Sequence, residues 1–396
     1  MSSIRAGADR CVACGLCLPH CPTYRDSLNE NESPRGRVAL LRAGAEGRLP
    51  LNDRLADHID GCLGCRACEA VCPSTVPYGA LLKNGRALLA EARPPTPGDR
   101  LRRLLIRTSR WPRAFGFAYR LARRLAQLPT GAGAGPLMAL RHAPTRARAP
   151  IPRGDTEGPF DVGLFLGCTA DLDAPALNAA ARILKATGLR VQVAARQECC
   201  GALASHAGHA DLAATAQDRN RRAFAGGPPA LVSLNSACVS ELADYDRDRD
   251  QGFPAVFDIH RFLVEKAPLD RLALRPLART IAIHEPCTLR NSLHGAGFVW
   301  ELLAHIPGVR LIAASGNAVC CGAAGDFFLR RPRLAVVLGD DAVRAVAACR
   351  PDILVSSNIG CALHLAAALG RQGLALPVVH PLLVLAGQLP PSDDAC

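Results

Sequence analysis

Short apolar runs alternate with stretches of helical spacing along the C-terminal part of this 396-residue chain. Residues 161–166 read as a strand running into Gly167 and Cys168, and residues 175–187 carry helical spacing with Gly188 placed as a C-cap. Residues 190–194 form a second apolar run, 211–224 a helix, and 230–234 a strand that delivers Asn235 and Cys238. The same succession returns at 280–283, 298–305, 309–313 and, after another helix, 353–356. Such alternation predicts two α/β units.

Those units repeat one another. Cys168 and Cys287 are 119 residues apart, the Cys199-Cys200-Gly201 and Cys320-Cys321-Gly322 triplets 121. Asn235-Ser236-Ala237-Cys238 and Asn358-Ile359-Gly360-Cys361 are 123 apart, and His260 and His380 are 120 apart. Landmarks recurring at one period mark a duplicated domain, over residues 158–268 and 278–396. The apolar tail 376–385 aligns with 256–264, so it reads as a buried strand–helix junction rather than a membrane span. Upstream, residues 1–92 hold two dense Cys runs, with helical spacing after Pro34 that closes their domain; residues 93–157 are an Arg-, Pro- and Gly-rich linker around a helix expected over 101–128.

Charge sharpens this division. The net +12 falls almost entirely on the linker, where fourteen Arg face only Asp99, Asp155 and Glu157. Apolar and cationic residues alternate there at helical spacing, which suits a solvated helix packing one face on the cluster domain, an acidic partner or an anionic lipid surface. No DNA- or RNA-binding module accompanies the charge, so no nucleic-acid partner is expected. The linker sequence 131–135 is Gly-rich but follows no strand, and neither a dinucleotide fingerprint nor a P-loop occurs elsewhere. Any flavin must then belong to another subunit.

The 18 Cys carry the chemistry. No apolar leader precedes the first of them, so a reducing cytoplasm with thiolates as metal ligands is expected rather than a disulfide framework. Cys11-Cys14-Cys17-Cys21-Pro22 and Cys62-Cys65-Cys68-Cys72-Pro73 both follow the spacing Cys-x2-Cys-x2-Cys-x3-Cys-Pro. In that bacterial ferredoxin arrangement three close thiolates hold one cubane and the fourth reaches the other. One [4Fe–4S] cluster is thus assigned to Cys11, Cys14, Cys17 and Cys72, and a second to Cys62, Cys65, Cys68 and Cys21. Zinc usually takes separated Cys pairs, so two zinc sites are the weaker reading. Tyr24, Arg25 and Arg35 are candidates for tuning cluster potential.

Each repeat adds four thiols: Cys168, Cys199, Cys200 and Cys238, then Cys287, Cys320, Cys321 and Cys361. These sets suffice for a further iron–sulfur cluster or a zinc ion. His260, His364 and His380 lie near them, as do His284 and His294; packed side chains are the favoured reading over ligands. Cys349 is expected to be a small buried residue, and Cys396 a free terminal thiol.

The Cys-Cys-Gly repeat resembles the cysteine-rich domain of heterodisulfide reductase subunits, lactate-utilisation proteins and glycolate oxidase iron–sulfur subunits. Cys287-Thr288-Leu289, Cys320 to Gly325 and Ser357 to His364 are most similar to the last of these, as are Asp9-Arg10-Cys11, Cys21-Pro22-Thr23-Tyr24 and Pro34-Arg35-Gly36-Arg37. One departure stands out: heterodisulfide reductase repeats end in Cys-x-x-Cys, whereas Asn235 and Asn358 replace the first of those thiols here. The resemblance implies a multidomain α+β and α/β chain, with a helical two-[4Fe–4S] ferredoxin-type domain followed by two tandem α/β cysteine-rich domains. It also implies a non-catalytic electron-transfer subunit. An FAD-containing oxidase subunit would oxidise glycolate, lactate or another 2-hydroxy acid, and a membrane quinone or other acceptor would take the electrons. Such a chain would be cytoplasmic and peripheral on the inner face of the membrane. A heterodisulfide reductase-like complex and a zinc-stabilised scaffold are the alternatives.

Overall fold

The computed structural model describes residues 1–127, 140–144, 149–245, 252–314 and 320–391. Leu128, the Gly-rich stretch 131–135 and Cys396 lie outside the described residues.

Each repeat builds a four-stranded parallel sheet. In the first, β1 (Val162–Phe165), β2 (Val191–Gln192), β3 (Ala230–Ser233) and β4 (Ala255–Asp258) are ordered β2-β1-β3-β4. In the second, β5 (Thr280–His284), β6 (Arg310–Ala313), β7 (Ile353–Ser356) and β8 (Val378–Val379) are ordered β6-β5-β7-β8. Val162 pairs with Ala230 and Ile281 with Ile353 at equivalent registers. Every residue of β1 and β3 is buried, as a parallel sheet covered on both faces requires. Strand order reverses between β1 and β3 and again between β5 and β7. In α/β proteins such a reversal marks the carboxyl ends of the strands as the place where ligands bind.

The halves are not independent beads. Helix Ala170–Ala186 of the first packs on helix Pro381–Gly387 of the second, and helix Ile259–Lys266 packs on helix Ala296–Ala304. Leu177, Ile183, Ile259, Leu303 and Leu382 join in one buried core that spans both sheets. The tail is therefore core, with β8 and helix Pro381–Gly387 forming its strand–helix junction.

Helices Ser2–Ala8, Pro34–Ala45, Asp53–Asp60 and Tyr78–Ala92 enclose a separate N-terminal core of Ile4, Val38, Leu41, Ile59 and Leu81. Ser33 caps the second of these helices by accepting from the Gly36 N–H. This domain docks on the sheets through Lys83–Glu241 at 3.1 Å, Arg86 Nη1 to the His206 carbonyl at 3.1 Å, and Arg330 Nη1 to the Asp60 carbonyl at 2.9 Å.

Several expectations are corrected. The linker helix is two helices, Pro97–Thr108 and Pro112–Ala126, because Pro112 has no N–H to continue the first and instead opens the second. The helix expected from residue 175 begins at Ala170 and carries Pro175 inside. Strand β2 spans two residues rather than five. Cys349 is exposed, since it lies in the turn past helix Pro332–Ala347 rather than on its buried face.

Candidate metal centres

Both N-terminal Cys runs fold through the same unusual backbone. The third and fifth residues of each, counted from the first Cys, are left-handed: Ala13 and Gly15 at φ 56° and 85°, Gly64 and Arg66 at 65° and 56°. Cys62, Cys65 and Cys68 line one pocket together with Cys21, the last thiol of the other run. Thr23, Arg66 and Tyr78 complete its wall. Cys11, Cys17 and Cys72 pack against the N-terminal core beside Cys62, while Cys14 is exposed.

The sulfurs face hydrogen-bond donors. Gly64 N–H reaches Cys62 Sγ at 3.4 Å and Tyr78 Oη reaches the same sulfur at 3.5 Å, while Thr23 Oγ1, which donates to the Glu32 carbonyl at 2.8 Å, lies 3.3 Å from Cys21 Sγ. Burial pushes the Cys68 and Cys17 thiols up, so thiolates here need such donors or a metal. Arg37 is fully buried beside them. Its guanidinium donates to the His58 carbonyl at 2.8 Å and to Thr23 Oγ1 at 2.9 Å, and pairs with Glu32. Arg35 Nη1 donates to the Ala13 carbonyl at 3.0 Å, which ties it to the first loop. Sequence reasoning gave Arg37 and Tyr78 no role at the clusters; a cation and a phenol at helical spacing with buried neighbours were the available signals.

The repeat thiols gather at the carboxyl ends of the sheets. Cys168 follows β1, Cys199 and Cys200 follow β2, and Cys238 sits on helix Ser236–Ala243 after β3. In the second half Cys287 opens helix Cys287–Asn291 after β5, Cys320 and Cys321 follow β6, and Cys361 lies on helix Ile359–Arg371 after β7. Glycine ends each pair because the backbone there is left-handed, at φ 91° for Gly201 and 90° for Gly322. Cys200 and Cys238 sulfurs are 3.2 Å apart, and those of Cys287 and Cys320 are 3.9 Å apart. Hydrogen bonds from Cys168 and Cys200 hold the Cys199 thiol well below its ordinary range, and the same bonds raise the two donors. Cys287 is raised by donating to Cys320 and then by burial. Phe165, Phe224, Tyr245 and Phe253 shield the first set from water. Tyr245 Oη and Asn220 Nδ2 hold the Cys200 and Cys199 carbonyls at 2.7 and 3.0 Å.

Asn235 and Asn358, which open the two Asn-x-x-Cys runs, cap the helices bearing Cys238 and Cys361. They also meet across the halves, with Asn358 Nδ2 donating to Asn235 Oδ1 at 3.0 Å. Four of these histidines are packed side chains: His364 Nε2 lies 2.8 Å from the Ala335 carbonyl, His284 Nδ1 lies 3.1 Å from Ser356 Oγ, and His260 stacks on His380 at 5.4 Å, whereas His294 is exposed.

The two classes of site also touch. Cys65 shares an apolar cluster with Cys287 and Cys320, and Asn291 Nδ2 donates to the Cys65 carbonyl at 2.8 Å. Burial, then the neighbouring Cys287, pushes the Cys65 thiol up. On the other side, buried Ser109, in the turn between the linker helices, lies beside Cys199 and helps to lower its thiol. Thiol-only donor sets, shielded from water and supplied with N–H and O–H donors to sulfur, suit iron–sulfur clusters. Among the described residues no three His, Cys, Asp or Glu side chains are arranged around a single metal ion.

A 4Fe-4S dicluster domain model matches residues 7–76, and a cysteine-rich domain model matches residues 162–243 and 281–366. The glycolate oxidase iron–sulfur subunit of Escherichia coli is 32% identical over 90% of this chain and 89% of its own length. A probable glycolate oxidase iron–sulfur subunit of Bacillus subtilis is 29% identical over 92% and 89%. A subunit of the dihydromethanophenazine:CoB–CoM heterodisulfide reductase of Methanosarcina barkeri is 25% identical over 94% and 91%. Near-complete coverage at these identities, with both Cys patterns inside the matched segments, makes this chain a member of the glycolate oxidase iron–sulfur subunit family.

Proposed function

We propose that the chain is the electron-relaying subunit of a flavin-dependent 2-hydroxy-acid oxidase, with glycolate as the favoured substrate of the complex. An FAD-bearing partner would take the hydride, and this chain would pass single electrons on to a membrane acceptor. The observation that carries the reading is the cavity framed by Cys62, Cys65, Cys68 and Cys21. That lining supports one cubane on those four thiols and the other on Cys11, Cys14, Cys17 and Cys72, within a domain over 1–92. Bound clusters supply one-electron chemistry; the chain's own residues set their surroundings. Arg37 places a buried positive charge near Cys21 and Cys62, and Tyr78 donates to Cys62, both of which favour the reduced cluster.

The closeness of Cys65 to Cys287 and Cys320 favours a further centre on Cys287, Cys320, Cys321 and Cys361, within the domain over 278–396. Cys168, Cys199, Cys200 and Cys238 form the corresponding set of the domain over 158–268, beyond the linker 93–157. Iron and sulfide analysis of anaerobically purified protein tests both points. Two cubanes give about eight irons, and a centre in the second half adds iron that Cys320→Ser removes. Zinc without sulfide would sink the relay in favour of a scaffold. Co-purification of a flavoprotein whose glycolate oxidation reduces these clusters faster than lactate oxidation does would establish the substrate.

A further inference from the structure

The linker helices Pro97–Thr108 and Pro112–Ala126 divide their residues sharply between two sides. Inward, four Arg are held by acids of the α/β halves. Arg102 pairs with Asp326 at 2.5 Å, Arg103 with Asp211, Arg110 with Glu198 at 3.3 Å and Arg120 with Asp171 at 2.7 Å. Gly116 allows the close approach, since a Cβ there would stand 2.1 Å from Asp171 Oδ2. Outward, Leu101, Leu104, Leu105, Trp111, Phe117 and Leu121 are all about half exposed. At 100° per residue, Leu101, Leu104 and Leu105 share one face of the first helix, and Phe117, Leu121 and Leu125 share one face of the second. Arg100, Arg107, Arg113 and Arg124 flank these ridges, and among the described residues no ion pair engages them. Asp99 is the one acidic residue on either helix.

We propose that this helical hairpin seats on an anionic lipid bilayer, with its apolar ridge in the interface and its outward Arg on the headgroups. Paired Arg explain the clamp to the body; the unpaired surplus is left facing out, beside large apolar side chains that a chain without further contacts would bury. Interleaving matters for the choice of occupant. A protein interface core is depleted of charge, whereas Arg stems lie along apolar surface and lift their heads to phosphate in a lipid interface. A Trp at the turn suits the same boundary. The hairpin dips in rather than crosses, for among the described residues no helix is long and apolar enough to span. Because buried Ser109 sits at that turn beside Cys199, the seat brings the first-half thiol set to the lipid face. This deepens the proposed relay by locating the acceptor side, and it rests on that reading only there.

Flotation of the full cluster-loaded chain with vesicles tests it. Phosphatidylglycerol in phosphatidylcholine should capture the chain, and phosphatidylcholine alone should capture it far less. Arg107→Glu with Arg113→Glu should weaken capture about fivefold or more per site, and Phe117→Ser with Leu121→Ser at least about tenfold. Brominated lipid should quench Trp111, with Trp111→Phe removing that quenching; Trp300 is turned to Glu285. Absence of vesicle capture, or capture indifferent to these substitutions, overturns the proposal. So does loss of flavoprotein binding in the same variants without loss of lipid binding. Cluster content is read independently from the visible spectrum, so failure of the relay would appear as missing iron with flotation intact.

Discussion

Ala13 and Arg66 hold backbone conformations that usually fall to glycine, while Gly64 and Gly15 fill the matching positions of the other run. Left-handed φ costs an ordinary residue about 1–2 kcal/mol, less the entropy that glycine gives up on folding. Ala13→Gly should therefore stabilise the cluster-loaded chain by about 0.5–1 kcal/mol in urea unfolding. Burial also leaves a pH signature. It depresses His284 and His364 to about 4 from an ordinary 6.5, so both are neutral in the fold. The unfolded chain takes up protons below 6.5 and the folded chain does not until about 4. Their contribution is complete above pH 6.5 and is lost as pH falls through that window, each at about 1.4 kcal/mol per pH unit. His364→Gln keeps a donor for Ala335 and should flatten the pH dependence of unfolding; an unchanged slope would show that His364 does not titrate there. Ligand candidates were legible at this scale because cluster loops are local in sequence. Tyr78, Arg37 and Asn291 were not, because each meets its Cys only through the tertiary fold.

At the scale of elements, the Cys-Cys-Gly turn is the most exacting piece. A Cβ on Gly322 would lie 2.7 Å from the Ala335 carbonyl, whereas one on Gly201 would lie 3.3 Å from that of Ala213. Gly322→Ala should cost about 1–3 kcal/mol and Gly201→Ala distinctly less, measured as the shift in denaturation midpoint. Equal losses would place the cost in backbone conformation alone. Strand and helix positions were readable because each apolar run has one period and clear punctuation. The failures have local causes. Pro175 comes just past the first turn of its helix, where it forfeits a single ladder bond, so the helix extends upstream of it to Ala170. Strand β2 lies at a sheet edge and pairs only with β1, so its apolar run outlasts its ladder.

For the whole molecule, the duplication was legible from four landmarks, but the way its halves join was not. Nothing in the spacing of Asn235 and Asn358 announces that they bond to each other, or that helices from both halves fill one layer between the sheets. The strongly basic linker likewise suggested a helix packed on the cluster domain, yet acids of the α/β halves scattered between Asp171 and Asp326 clamp it instead. Docking makes salt relevant: exposed pairs such as Arg103–Asp211 weaken with ionic strength, while Arg102–Asp326, more sheltered, should persist. Deleting residues 376–396 should strip helix Pro381–Gly387 from helix Ala170–Ala186 and leave the first half insoluble or molten as well as the second. A soluble, cooperatively unfolding first half in that deletion would show that the halves fold alone.

That clasp also sets an order of assembly during synthesis. Helix Ala170–Ala186 leaves the ribosome some two hundred residues before the segment that covers it, and Arg182 waits for the Ala386 carbonyl, 204 positions later. The N-terminal domain, whose core is closed by residue 92, can fold and receive metal while the rest is still being made. The second-half thiols join it only at the end, so a centre loaded early on the Cys65 side would stay open to oxygen until Cys287 and Cys320 close over it.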